Sequence, residues 1–167
     1  MIIAETNRLR LRLLKREDID DLMGIWGDPE TMKYCGGAGS RDREIRSLEF
    51  YIKQQEKMGF SPFAVELKED GEFIGVCGLN PPSDDCDAEF MYHFKKSSWG
   101  NGYATEATEE CLRYAKDNTS IRVIGALVDK DNPASAKVLL NAGFQFIGMK
   151  WCDDTEQEEE QYRKFLR

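Results

Sequence analysis

The stretch from Ala88 to Val128 constrains the fold of this chain more than any other part of it. Ala88 to Phe94 is an aromatic-rich strand, and Lys95 to Asn101 is a polar, glycine-bearing bend. A helix then opens at Gly102 and runs to about Asp117, with Ala104, Ala107, Cys111, Tyr114 and Ala115 along one side. Glu106 lies early in it and Arg113 and Lys116 late, as the helix dipole prefers. Ile121 to Val128 follows as a buried-looking strand. A β-α-β unit of this kind predicts two parallel strands joined by a right-handed crossover, hence a sheet with helices packed on it.

The flanking segments fit such a sheet. Arg8 to Leu13 alternates strictly, so Leu9, Leu11 and Leu13 share one strand face and the arginines the other. Ile19, Leu22, Met23 and Trp26 then fall at i, i+3, i+4 and i+7, one stripe of a helix stopped by Gly27-Asp28-Pro29. A second helix is predicted from an N-cap at Ser40 to Met58, with Ile45, Leu48 and Ile52 inward and Gly59 as its stop. Phe63, Val65 and Leu67 alternate, Asp70-Gly71 turns the chain, and Phe73 to Leu79 returns as a strand. Residues 81–85 form a loop. Asn132 caps the last helix with Pro133 at its first position, and Gly143 ends it. Two final strands are predicted at Phe144–Cys152 and Gln161–Leu166, with the acidic run Asp153–Glu160 as a solvated loop between them. The order is β-α-α-β-β-β-α-β-α-β-β, an α/β (α+β mixed sheet) fold in one domain over residues 1–167.

Composition narrows the class. The chain has 23 Lys and Arg against 31 Asp and Glu, a net charge of −8, so nucleic acid and anionic membranes are not its expected partners. The acidic balance suits a cationic substrate. No apolar run approaches the roughly 18–20 residues of a membrane span, and no signal peptide is read at Met1–Thr6. Five widely spaced cysteines with no CxxC fit reduced thiols and a cytoplasmic location, and imply no metal. Phe50, Tyr51, Phe60 and Trp26 read as core and cleft wall.

The free N–H groups of a helix start, with the positive end of its dipole, make the bend at Gly100–Gly102 an anion site. Glycine there lets a phosphate approach closely. The phosphate loop GxxxxGK[ST] is absent, and Thr105 stands where a dinucleotide fingerprint needs its last glycine. Instead, Trp99-Gly100-Asn101-Gly102-Tyr103-Ala104-Thr105-Glu106-Ala107 resembles the acyl-CoA pyrophosphate loop of the GNAT N-acetyltransferases. It is nearest to the branch that includes the ribosomal-protein-alanine acetyltransferases. Thr6-x-Arg8-Leu9-x-Leu11-Arg12, Asp28-Pro29-Glu30, Phe73–Leu79 and Asn132-Pro133-Ala134-Ser135 with Gly143-Phe144 resemble further blocks of that branch, in its order.

The resemblance implies acetyl-CoA as cosubstrate and a primary amine, on a small molecule or a protein N-terminus, as acceptor. The assembly it implies is a monomer or homodimer. Gly100, Asn101, Gly102, Tyr103, Ala104 and Thr105 would bind the pyrophosphate, with Trp99 where the wider family has Gln or Arg. Tyr92, His93 and Phe94 would pair through their backbones with the pantetheine arm, one N–H polarising the thioester carbonyl. Glu89 matches the glutamate of the family's A-E-x-x-Y strand and is the candidate general base; a surface carboxylate is the plainer reading. Many members protonate the leaving thiolate with a Tyr four residues before the last glycine, but Leu139 holds that place. Ser135 is the alternative acid, or simply a helix-turn serine, and Asn132 a cofactor contact or simply a cap. His93, the only histidine, reads first as packing and second as a wall or proton relay of the amine site. Met91 is bulkier than the residue often found there, narrowing the cleft. A non-catalytic acyl-CoA-binding or regulatory protein on the same scaffold is the competing reading.

Overall fold

The computed structural model describes residues 1–83 and 85–167. Asp84, part of the 81–85 loop, lies outside the described residues. The elements run β1 (Ile2–Glu5), β2 (Leu9–Arg12), α1 (Ile19–Trp26), α2 (Arg41–Met58), β3 (Pro62–Leu67), β4 (Phe73–Asn80), β5 (Ala88–Phe94), α3 (Tyr103–Asn118), β6 (Val123–Val128), α4 (Pro133–Asn141), β7 (Gln145–Cys152) and β8 (Gln157–Phe165). Among the described residues the eight strands form one sheet, ordered β1-β2-β3-β4-β5-β6-β8-β7. All pairs are antiparallel except β5 with β6, the parallel pair that the β-α-β stretch requires. No helix among the described residues is long and apolar enough to cross a membrane.

The sheet separates two apolar layers. Leu9, Leu11, Phe63, Phe90 and Phe94 meet Ala107, Cys111 and Ala115 of α3 and Leu139 of α4 on one face. Leu22, Ile25 and Trp26 of α1 and Leu48 of α2 cover Ala64, Phe73 and Val76 on the other. β4 is buried along nearly its whole length, because helices lie on both of its faces. The caps are as their residues dictate: Ser40 Oγ accepts from Arg43 N, Gly59 takes φ 77°, and Asn132 Oδ1 accepts from Ser135 N.

Three expectations change. A strand at Ile2–Glu5 precedes the alternating one and pairs with it; four residues are too few to show a period. The acidic run is only partly loop, because Gln157–Glu160 belong to β8, with Glu159 buried and its Oε2 accepting from Thr155 Oγ1 at 2.6 Å. Tertiary pairing with β6 and β7 overrides the low strand propensity of glutamate. Phe50 points outward, 53% exposed, and is no part of the core.

Candidate active site

β5 is the centre of the site. It pairs with β4 from Glu89 to Phe94, but with β6 only at Ala88↔Ile124 and Glu89↔Gly125. β6 meanwhile stays paired with β8 through Val128. Beyond Glu89 the two strands part, leaving backbone edges unpaired around an open cleft. Phe90, Met91, Tyr92 and His93 line one side of it, and Ala126 to Asp129, Asn132 and Ser135 the other. Lys95 N–H donates to Ile74 O in β4 at 2.8 Å. Donor direction alternates along a strand, so the run Tyr92–Phe94 presents at least one N–H toward the gap.

The bend after β5 is built to present N–H groups. Trp99 Nε1 donates to Phe94 O at 2.9 Å and ties the bend to the strand end. Asn101 Nδ2 donates to Ser98 O and Trp99 O, and Arg8 Nη1 to Asn101 O. A trans peptide sets N–H opposite C=O, so holding these carbonyls turns the following N–H groups the other way. Gly100 and Gly102 have φ 79° and 80°, the left-handed region that side chains other than glycine's resist. The first helical N–H bond is Glu106 to Gly102 O, and among the described residues no N–H from Gly100 to Thr105 has an intramolecular acceptor. Six successive free donors at the start of a 16-residue helix make a cradle for a polyanion. The arrangement thus fits a pyrophosphate held by Gly100, Asn101, Gly102, Tyr103, Ala104 and Thr105, with Trp99 as the anchor of the loop.

Alternation places side chains on the two faces of β5. Phe90, Tyr92 and Phe94 lie with α3 and α4. Glu89, Met91 and His93 lie with α1 and α2. Tyr92 Oη donates to Ser135 Oγ at 3.1 Å, joining β5 to the first turn of α4 beside Leu139. The sequence reading used Tyr92 only through its backbone. Its place on the Phe90–Phe94 face, together with the missing Tyr at 139, was the available signal. Burial pushes the Tyr92 phenol up, the Ser135 bond only partly opposing it, so the hydroxyl keeps its proton at neutral pH. On the other face, Glu89 Oε1 accepts from Ser83 Oγ, which tethers the carboxylate to the loop before β5. Ser135 lines the cleft, whereas Glu89 lies just before the strands part, at the last β5–β6 pair, and is not among the residues that line it.

His93 Nδ1 accepts from Trp26 Nε1 at 3.2 Å. Burial pushes its imidazole down to about 4, so it is neutral in the physiological range and holds the cleft wall to α1. Tyr34 and Cys35 close one end of the cleft. Cys35 is exposed at the cleft rim, and partial desolvation with the negative fields of Glu159 and Asp129 pushes its thiol up. Among the described residues no group of three or more His, Cys, Asp or Glu side chains is arranged to hold a metal ion.

An eight-stranded sheet that splits beside a helix-start anion cradle defines an acyl-CoA-dependent acetyltransferase. Residues 8–145 match the family described as Acetyltransferase (GNAT) domain, and the chain belongs to that family. It is 33% identical over 147 residues to an uncharacterized N-acetyltransferase, p20, of Bacillus licheniformis, covering 86% of this chain and 83% of the relative. A GNAT-family acetyltransferase structure from Bacillus anthracis superposes with a TM-score of 0.83 at 22% identity, over 99% of both chains. Spermidine N-acetyltransferase from Vibrio cholerae, in complex with CoA and spermine, does so at 0.80 and 21%, over 96% of this chain and 97% of that one.

Proposed function

We propose that this chain transfers the acetyl group of acetyl-CoA to a primary amine, on a small molecule or a protein N-terminus, by direct attack. The observation that carries the reading is the row of six unpaired N–H groups from Gly100 to Thr105 beside the gap between β5 and β6. The Trp99–Ala107 bend supports membership of the ribosomal-protein-alanine acetyltransferase branch. The loop donors hold the pyrophosphate, Asn132 lies where it can add a contact, and the free edge of β5 pairs with the pantetheine arm. When bound, acetyl-CoA supplies an activated thioester.

Glu89 takes a proton from the ammonium form of the substrate, directly or through water, because an amine that holds its proton to about pH 8–10 cannot attack. One N–H of Tyr92, His93 or Phe94 binds the carbonyl oxygen as charge develops on it. Ser135 Oγ, already accepting from Tyr92 Oη, has its own hydrogen free for the departing sulfur. As the C–S bond breaks Ser135 gives its proton to the sulfur and regains one from solvent, Tyr92 holding the serine oxygen in place, while the attacking nitrogen loses its second proton to water; the products are an amide, a thiol and one released proton.

The test is the melting temperature with and without saturating acetyl-CoA, followed by thiol release across a panel of amines. A ligand at about 100 times its dissociation constant adds roughly 2.7 kcal/mol, a shift of several degrees for a domain of this size. A rise with acetyl-CoA and not with ATP or NADH, plus thiol release with at least one amine, is the expected result. A rise with no thiol release from any amine would favour the non-catalytic reading.

A further inference from the structure

The turn between β1 and β2 grips the start of α3 through an unusually complete set of bonds. Arg8 Nε donates to Glu106 Oε2 at 2.8 Å, and Arg8 Nη2 lies 2.7 Å from the same oxygen. Arg8 N–H and Thr6 Oγ1 both donate to Glu106 Oε1, at 2.9 and 2.6 Å. Arg8 Nη1 reaches on to Asn101 O at 2.9 Å, and the guanidinium lies 4.5 Å from the centre of the Tyr103 ring.

Glu106 sits one turn into α3, beside the N–H groups that would meet a pyrophosphate. Left alone, its charge would repel that anion. Burial pushes its carboxyl up, but the bonds from Thr6 and Arg8 outweigh this and hold it below the usual carboxylate range, so it stays charged. Compensation has to come from a cation, and Arg8 supplies it. The same guanidinium fixes the Asn101 carbonyl and so the direction of the Gly102 N–H.

We propose that Arg8 is a positioning residue for the cosubstrate: it neutralises Glu106 and turns the peptide at Asn101–Gly102 so that the loop donors face the pyrophosphate. This rests on the acetyl-CoA reading above. Arg8 acts through Glu106 and Asn101, with Thr6 holding the far side of the carboxylate.

The experiment is a calorimetric titration of the full chain with coenzyme A for wild type, Arg8→Ala, Arg8→Lys, Glu106→Gln and Arg8→Ala/Glu106→Gln, with acetyl-CoA KM, amine KM, kcat and Tm for each. Arg8→Ala is expected to weaken coenzyme A about tenfold and to raise the acetyl-CoA KM in step, leaving amine KM and kcat near wild type. Adding Glu106→Gln should recover the part of that loss caused by the uncompensated charge, because the amide no longer repels the anion, and leave the part caused by the freed Asn101 carbonyl. Arg8→Lys keeps the charge but not the fork, and should fall between wild type and Arg8→Ala. A purely structural clamp predicts the reverse for the double variant, which would then be the least stable and bind no better than Arg8→Ala. That result, or wild-type affinity in folded Arg8→Ala, overturns the proposal. Should Arg8→Ala not fold, wild-type affinity in Arg8→Lys overturns it instead. If wild type itself does not bind coenzyme A, the acetyl-CoA reading fails first and this inference with it.

Discussion

Tyr92 Oη donates to Ser135 Oγ at 3.1 Å, so a strand and a helix that are 43 residues apart in sequence are joined at the edge of the cleft. Either hydroxyl can be the donor in such a pair. With Tyr92 as the donor, the serine hydroxyl is left to donate to a leaving sulfur. Tyr92→Phe and Ser135→Ala should each lower kcat by roughly tenfold to 100-fold, and together scarcely more than the worse of the two. Thiol-release kinetics on the two single variants and the double variant check this; additive losses would separate the two hydroxyls.

Glu89 is the base in the proposed reaction and takes the opposite face of β5 from Tyr92. Glu89→Gln should reduce kcat by about 100-fold while leaving coenzyme A affinity within about twofold, because the amide keeps the shape but cannot take a proton. Ser83→Ala frees the carboxylate from its tether and should have a smaller effect. Steady-state kinetics paired with a coenzyme A titration distinguish lost chemistry from lost binding.

His93 links pH to stability. Its folded pKa of about 4 lies below the ordinary 6.5, so the unfolded chain binds the extra proton first. Its contribution is therefore fully present above about pH 6.5 and lost as pH falls toward 4, up to about 3 kcal/mol in total. Replacing it by Gln should lower stability at pH 7 yet flatten the decline between pH 6.5 and 4. Urea melts of both proteins at half-unit pH steps measure the difference in slope.

The Arg12 guanidinium donates to both carboxylate oxygens of Asp18, at 2.9 and 2.8 Å, and to Glu66 at 2.9 Å. Asp18 is only 2% exposed. Arg12→Ala strands a buried carboxylate and should cost about 3–5 kcal/mol. Because the pair lies away from the cleft, activity per folded molecule should be unchanged. Chemical denaturation, with activity normalised to the folded fraction, tests both halves.

Much of this was legible in the chain itself. Periods of 2 and 3.6, Ser40 and Asn132 as caps, and the positive-φ glycines at 59, 100 and 102 are local properties, and local sterics decide them. The strand–bend–helix from Ala88 onward was visible for the same reason, and with it the row of backbone donors. The strands at Ile2–Glu5 and Gln157–Glu160 were not, since one is too short to show a period and the other is written in acidic residues that only pairing with neighbouring strands makes extended.

Side-chain partnerships between distant segments lay wholly beyond the sequence. Arg8 with Glu106, Trp26 with His93 and Tyr92 with Ser135 are separated by 98, 67 and 43 residues. A strand's alternation says which face a residue takes, but not what stands opposite. The sequence by itself determined the order of the elements and the backbone geometry of the anion cradle. Only the tertiary structure decided that β5 and β6 part after Glu89, that a tyrosine meets Ser135 at that gap, and that an arginine from the first hairpin braces the loop. Those outcomes depend on how the helices pack against both faces of the sheet, and no local spacing encodes that.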